Sequence, residues 1–117
     1  MDQEMLDQLQ PASSSRRISF EEAEVVPGFV TGTYFLVVRG TAPCLNMSVS
    51  LLPLIYINCP EYWGIEVVGN LPGGFCLTAI KPYVVTIPLS GITGSKGIEL
   101  LGSNGSRSFD VAGGCCP

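Results

Sequence analysis

The sequence contains no histidine and little charge. None of its 117 residues is His, and Asp, Glu, Lys and Arg make up 14 % of the chain, well below the roughly 25 % typical of soluble domains. Residues 25–117 carry four acidic and four basic side chains, so this stretch is formally neutral. Most enzyme sites use a His, a carboxylate pair or clustered metal ligands. The composition therefore argues against an enzyme, and we expect no cofactor.

The charge that is present lies at the start of the chain. Residues 1–24 hold six acidic and two basic side chains, which accounts for the whole net charge of −4. No stretch forms the basic stripe that a nucleic-acid groove requires. Anionic membrane surfaces are disfavoured for the same reason. We therefore expect neither a nucleic acid nor a membrane as a partner.

Long hydrophobic runs are also missing. The longest apolar stretch, residues 49–57, is interrupted by Ser50 and Pro53 and is too short to span a bilayer. The first ten residues are acidic and polar, whereas a secretory signal has a basic start followed by an apolar run. The sequence thus predicts a cytoplasmic protein, unless a leader segment was removed.

The scarcity of charge limits how much of the surface charged side chains can cover. The apolar fraction is 46 % and the mean hydropathy is +0.38, so a small domain has too few charges to cover itself. Small polar residues and Gly could fill the surface, or an apolar patch could be covered by a partner. A symmetric dimer is the commonest way to cover such a patch. We expect a homo-oligomer or a complex with a protein partner.

Gly and Pro punctuate the chain regularly from residue 27 onward, leaving no room for a helix of ten residues. The intervening segments are rich in β-branched and aromatic residues, and short strands at this spacing are typical of a sandwich or small barrel. We predict an all-β, antiparallel β-sandwich, Ig-like or Greek-key, with about seven strands and a short N-terminal polar arm. The candidate strands are residues 33–39, 47–52, 54–58, 64–69, 75–80, 83–89, 97–101 and 106–111.

The domain boundaries follow from composition. Residues 1–17 are predicted to form a flexible arm, residues 18–114 the sandwich, and residues 115–117 a Cys-Cys-Pro tail. The first ten residues could form a short helix with Met5, Leu6 and Leu9 on one side, but such a helix needs a docking surface to persist. We therefore expect the arm to be mobile or to dock on a neighbouring chain.

Residues 11–17 are linker-like in composition. Residues 18–24 fit either a single helical turn, with Ser19 and Glu22 as a capping box, or a strand. Their alternating pattern favours the strand.

The five cysteines are odd in number and accompany no secretion signal, which favours free thiols over a disulfide framework. Cys44, Cys59 and Cys76 lie in or beside candidate strands, so we expect buried core thiols there. Cys115 and Cys116 follow two glycines and are predicted to be exposed. They are the candidate ligands for a soft metal and the candidate redox pair.

Tyr62 and Trp63 are the candidate binding residues. They lie between Pro60 and Gly64, and large aromatics dominate interfaces when exposed and cores when buried. The lone Trp of a small β domain usually belongs to the core, but the neighbouring turn residues keep both aromatics as candidates.

Two functional hypotheses remain. The first is a non-catalytic β-sandwich interaction module that self-associates. The alternative is a small thiol protein that binds a soft metal or acts as a redox switch through Cys115 and Cys116.

Overall fold

A computed structural model describes residues 13–114 of the protein. Within this range the chain forms eight strands and no helix. The strands are β1 (Ser13–Arg17), β2 (Glu22–Pro27), β3 (Tyr34–Ala42), β4 (Ser48–Pro53), β5 (Tyr62–Pro72), β6 (Lys81–Pro88), β7 (Gly97–Gly102) and β8 (Gly105–Asp110). They form two sheets that share one hydrophobic core, which confirms the predicted all-β sandwich.

The larger sheet is organised around β5, its longest strand. Strand β4 pairs antiparallel along one edge of β5. Strands β7 and β1 share the other edge end to end, β7 parallel to the first half of β5 and β1 antiparallel to the second half. Strand β8 then pairs with β7. The parallel β5–β7 pair departs from the antiparallel prediction, because the chain crosses to the other sheet as β6 before it returns as β7.

The smaller sheet has the order β2-β3-β6 and is antiparallel throughout. Alternate residues of its central strand, Leu36 and Val38, are fully buried. Ile65 of β5 and Ile98 and Leu100 of β7 are fully buried in the same cluster. Because side chains alternate between the faces of a strand, each of these strands contributes one face to the core.

Five of the seven connections between strands lie at the two ends of the sandwich, according to the pairing registers. Residues 43–47 and 73–80 lie at one end, where β3 ends, β4 begins and β5 ends; we call this the clasp end. Residues 28–33, 54–61 and 89–96 lie at the opposite end, which we call the loop end.

Strand β1 was not predicted, because its residues were assigned to the polar arm. Its described side chains are exposed, and backbone pairing with β5 holds it in place. Ser15 Oγ also donates to Asn70 Oδ1 at 2.8 Å, and Arg17 forms a 2.8 Å ion pair with Glu66. Backbone pairing requires no apolar pattern, so composition gave no signal. Residues 1–12, including the proposed helix, lie outside the described residues, and the arm there stays a prediction.

Two candidate strands are wrong. Residues 54–58 and 75–80 are not strands, although both have a strand-like composition. Only the first residue of the former segment continues the ladder, with Leu54 N–H donating to Gly64 O at 2.9 Å. The latter is a loop at the clasp end. Strand β2 confirms the choice of strand over helical turn for its part of residues 18–24.

The prediction of free thiols is wrong for the described cysteines. Cys44 and Cys76 form a disulfide with Cα atoms 5.2 Å apart, and Cys59 is disulfide-bonded as well. Cys44 is buried as expected, whereas Cys76 is exposed. Cys44 and Cys76 pair because the ends of β3 and β5 bring their loops together at the clasp end. Cys115 and Cys116 lie outside the described residues.

Tyr83 ties the smaller sheet to the chain that links β1 and β2. Its ring passes across Gly40 of β3, where an added Cβ would lie 2.6 Å from the Tyr83 hydroxyl. The hydroxyl donates to Ser19 O at 2.7 Å. Burial and, to a smaller extent, the charge of Glu21 raise the pKa of Tyr83 to about 12.

This shift predicts a loss of stability at alkaline pH. Because the folded-state pKa lies above the unfolded value of about 10, the neutral hydroxyl stabilises the fold fully below pH 10. That contribution is lost as the pH rises from about 10 towards 12. Urea unfolding of wild type and Tyr83→Phe across pH 8–12 should therefore show a smaller alkaline decline in the variant. Tyr34→Phe is the control, and an equal decline in Tyr83→Phe and wild type would contradict the prediction.

Candidate interaction surface

Trp63 anchors the segment that follows β4. Its indole N–H donates to Leu54 O at 2.9 Å, and its ring meets Tyr56 edge to face with centroids 4.9 Å apart. The Tyr56 hydroxyl in turn accepts the Gly64 N–H at 3.1 Å. The start of the segment at residues 54–58 is therefore fixed to β5 by two aromatic side chains.

This anchoring presents two isoleucines to solvent. Leu54 and Tyr56 are half-buried, whereas Ile55 is 96 % exposed and Ile57 is 100 % exposed. The alternation is that of an extended chain, although the segment is not a strand. Burying each of these side chains in an interface would contribute about 1.5–3 kcal/mol. We call Ile55 and Ile57 the isoleucine pair.

Tyr62 connects β5 to β8. Its hydroxyl donates to Asp110 Oδ1 at 2.7 Å. This hydrogen bond to a carboxylate is the main reason that the pKa of Tyr62 lies above its ordinary value of 10. Tyr62 is therefore a neutral donor at physiological pH, and its hydrogen bond links the start of β5 to the edge strand β8 across β7.

The β2–β3 hairpin places a second apolar group at the loop end. A turn closed by a 3.1 Å hydrogen bond from Thr33 N–H to Val30 O has Gly32 at its third position with φ 85°, a conformation that Gly adopts without strain. Phe29 and Val30 project from this turn and are exposed. We call them the hairpin tip.

A shallow apolar groove lies behind the hairpin tip. It has a volume of about 270 Å³, and its walls include Phe29, Phe35 and Pro88. Phe35 and Pro88 are register partners in the smaller sheet. The groove therefore continues the apolar surface from the hairpin tip onto the outer face of that sheet.

Charge at the loop end is sparse and balanced. Lys96 forms an exposed 3.5 Å ion pair with Glu61, which contributes little stability by itself. Lys96 N–H also donates to Glu61 O at 2.8 Å, so both charges stay together. The apolar groups of this end are thus not accompanied by a field of one sign.

The sequence-predicted binding residues lie at the start of β5 and are only partly exposed. Tyr62 and Trp63 are half-buried, and the structure uses their polar atoms for internal hydrogen bonds. The most exposed apolar side chains, Phe29, Ile55 and Ile57, were not singled out from the sequence. The sequence features that could have indicated their exposure were the Pro27-Gly28 dipeptide and the alternation of residues 54–57.

No group of three or more His, Cys, Asp or Glu side chains within residues 13–114 could hold a metal ion. In the same range, no helix has the length and apolar character needed to cross a membrane. Cys115 and Cys116, the candidate soft-metal ligands, lie outside the described residues, and their role stays a prediction.

No family model, curated protein or solved structure significantly matches this chain.

Proposed function

We propose that this protein is a non-catalytic β-sandwich interaction module that self-associates through its loop end. The observation that carries the proposal is the isoleucine pair, Ile55 and Ile57, which is almost wholly exposed on a segment that Trp63 and Tyr56 fix in place. An ordered surface of this kind loses little conformational entropy when it binds. The hairpin tip adds apolar area at the same end.

A second copy of the chain is the partner that fits these features. In a two-fold dimer the same surface meets itself, so a surface with charge of one sign would repel its copy. The paired Glu61 and Lys96 avoid that repulsion. A chain with 14 % charged residues also has few other ways to shield apolar loops from water.

Sedimentation velocity over a range of protein concentrations tests the proposal. Wild type should dimerise as concentration rises, and the variant Ile55→Lys with Ile57→Lys should dimerise at least about 100-fold more weakly, because two buried isoleucines are lost from each copy. Val84→Lys is the matched control. Val84 is also exposed but lies in β6, paired with Arg39 and away from the loop end.

The outcomes separate the parts of the proposal. A wild-type protein that stays monomeric at the highest concentration would contradict self-association. A dimer that Val84→Lys weakens, and that the isoleucine substitutions leave intact, would place the interface on the outer face of the smaller sheet and contradict the loop end.

The compartment is part of the proposal. The disulfides of Cys44 with Cys76 and of Cys59 favour an oxidising compartment over the cytoplasm expected from the sequence, because cytosolic thiols are kept reduced. The alternative function through Cys115 and Cys116 gains no support from the described cysteines, which are all disulfide-bonded.

A further inference from the structure

The turn between β7 and β8 carries the single Asn-Gly dipeptide of the sequence. Gly102 and Gly105 are register partners, so Ser103 and Asn104 alone form the loop of this hairpin. Both loop residues and Gly105 are exposed. Gly105 has φ 132°, a conformation that favours glycine, and an added Cβ there would meet no atom within 4 Å beyond its chain neighbours. The peptide bond between Asn104 and Gly105 is therefore open to solvent.

The Asn104 side chain joins this turn to the segment that connects β1 with β2. Its Nδ2 donates to Phe20 O at 2.8 Å, and its Oδ1 accepts from Phe20 N–H at 3.3 Å. The Phe20 ring lies against Gly102, where an added Cβ would be 2.6 Å from Phe20 Cδ1. One amide group thus supplies both the donor and the acceptor for the Phe20 backbone. We call these two hydrogen bonds the Asn104 clamp.

The connecting segment positions the strand that precedes it. Ile18 is buried, and its N–H donates to Val67 O at 2.9 Å while its carbonyl accepts from Ser103 N–H at 3.0 Å. Phe20 packs against the core. The described side chains of β1 are exposed, so β1 depends on its ladder with β5 and on this segment for its place in the sheet. The Asn104 clamp therefore contributes to the attachment of β1.

We propose that Asn104 is a site of spontaneous deamidation and that the reaction opens the clamp. Hydroxide removes the proton of the Gly105 amide, and the Gly105 nitrogen attacks Asn104 Cγ. The new C–N bond closes a five-membered ring, the Cγ–Nδ2 bond breaks, and ammonia leaves with a proton taken from water. Water then opens the ring at one of its two carbonyl carbons, which leaves an aspartate or an isoaspartyl linkage at position 104.

The residue that follows each asparagine selects the site. A side chain on that residue crowds the attacking nitrogen, and Gly105 has none. The other asparagines, Asn46, Asn58 and Asn70, precede Met, Cys and Leu. The clamp holds Asn104 away from ring closure, so in the folded protein the reaction requires a transient opening of the turn. The fold therefore slows the reaction without preventing it.

Deamidation removes the donor half of the clamp. A carboxylate has no hydrogen to donate, so one of its oxygens would face Phe20 O, acceptor against acceptor. An isoaspartyl linkage also adds one carbon to the main chain and disrupts the pairing of Gly102 with Gly105. The connecting segment then loses its side-chain attachment to the turn. When β1 detaches, the second half of β5 becomes an edge that can pair with another chain, so the reaction limits the lifetime of the folded monomer.

Peptide mass spectrometry of the full-length protein tests the reaction. Protein incubated at mildly alkaline pH, below the range in which Tyr83 ionises, should accumulate aspartate and isoaspartate at position 104. A sample at mildly acidic pH should accumulate far less, because the reaction requires hydroxide. Asn46, Asn58 and Asn70 are internal controls and should stay unchanged.

A sample unfolded in urea at the same alkaline pH provides the reference rate. It should react faster at position 104, because no clamp restrains the side chain. Equal rates in the folded and unfolded samples would contradict the restraint by the clamp. Equal conversion at all four asparagines would overturn the proposal. The absence of conversion at position 104 in the folded sample, once the unfolded sample has reacted completely, would overturn it as well.

Hydrogen exchange of the variant Asn104→Asp tests the consequence for the fold. The amides of Ile18 and Ser103, whose hydrogen bonds flank the clamp, should exchange about 5-fold faster than in wild type, the factor expected for one lost hydrogen bond. Asn70→Asp is the matched control. It introduces the same charge, but Asn70 Oδ1 only accepts a hydrogen bond, from Ser15. Unchanged exchange at Ile18 and Ser103 in Asn104→Asp would show that deamidation does not open the clamp.

Discussion

Removing the Cys44–Cys76 disulfide is expected to lower the free energy of unfolding by about 3–4 kcal/mol. The bridge spans a sequence separation of 32 residues, and a cross-link of that span restricts the unfolded chain by this amount in the chain-entropy model. Because small domains have a total stability of roughly 5–15 kcal/mol, the loss would be a large part of the whole.

The double variant Cys44→Ala with Cys76→Ala, unfolded in urea without reductant, isolates this bridge. A reductant would also act on the disulfide of Cys59, so wild type with reductant is not an equivalent experiment. Asn46→Ala is the control, since it removes the two side-chain hydrogen bonds between the same loops and leaves the cross-link. A loss in the cysteine variant no larger than in Asn46→Ala would show that the bridge does not stabilise the fold through the unfolded chain.

The sequence predicted a strand correctly where the local residue pattern favours a strand and the fold also supplies a neighbouring strand for it to pair with. The candidate segments at residues 33–39, 83–89 and 97–101 correspond to β3, β6 and β7 within a few residues. Each is rich in apolar residues, is bounded by Gly or Pro, and supplies side chains to the core. Local composition and tertiary environment favour the same state in these segments, so the sequence was sufficient.

The two incorrectly predicted strands show that a local sequence pattern does not contain information about pairing partners. Residues 54–58 alternate as a strand does, but the ladder with β5 ends at Leu54, and the outward side chains are left in solvent. Residues 75–80 are held by the disulfide and by Asn46 instead of by a neighbouring strand. Whether an extended segment becomes a strand depends on a partner, and pairing is a property of the whole fold.

The role of Tyr62 and Trp63 in binding stays a prediction. Tyr62 and Trp63 drew attention as aromatics beside turn residues, and they lie next to the isoleucine pair. Single-sequence patterning could not assign Trp63 to the inner side and Ile55 to the outer side, because that depends on how residues 54–57 return against β5. The disulfides were missed for a related reason, because the number of cysteines does not show which of them the fold brings together.

Trp63→Ala is expected to lower the free energy of unfolding by about 3 kcal/mol, the lower end of the range for deleting a large aromatic side chain, since Trp63 is half-buried against the core. The substitution removes the ring contact with Tyr56 and the hydrogen bond to Leu54 O. Both contacts hold the isoleucine pair in place. Residues 55–58 should therefore exchange their amide hydrogens faster, and self-association should weaken although both isoleucines remain.

Two conservative variants separate these contributions. Trp63→Phe keeps most of the ring packing and leaves Leu54 O without its donor, so a loss of about 1–2 kcal/mol is expected. Tyr62→Phe removes only the exposed hydrogen bond to Asp110 and should cost less than Trp63→Phe, with no change in exchange at residues 55–58. Urea unfolding and hydrogen exchange of the three variants provide the comparison. If Trp63→Ala costs no more than Tyr62→Phe, Trp63 does not anchor the segment, and the preorganisation on which the loop-end interface depends is absent.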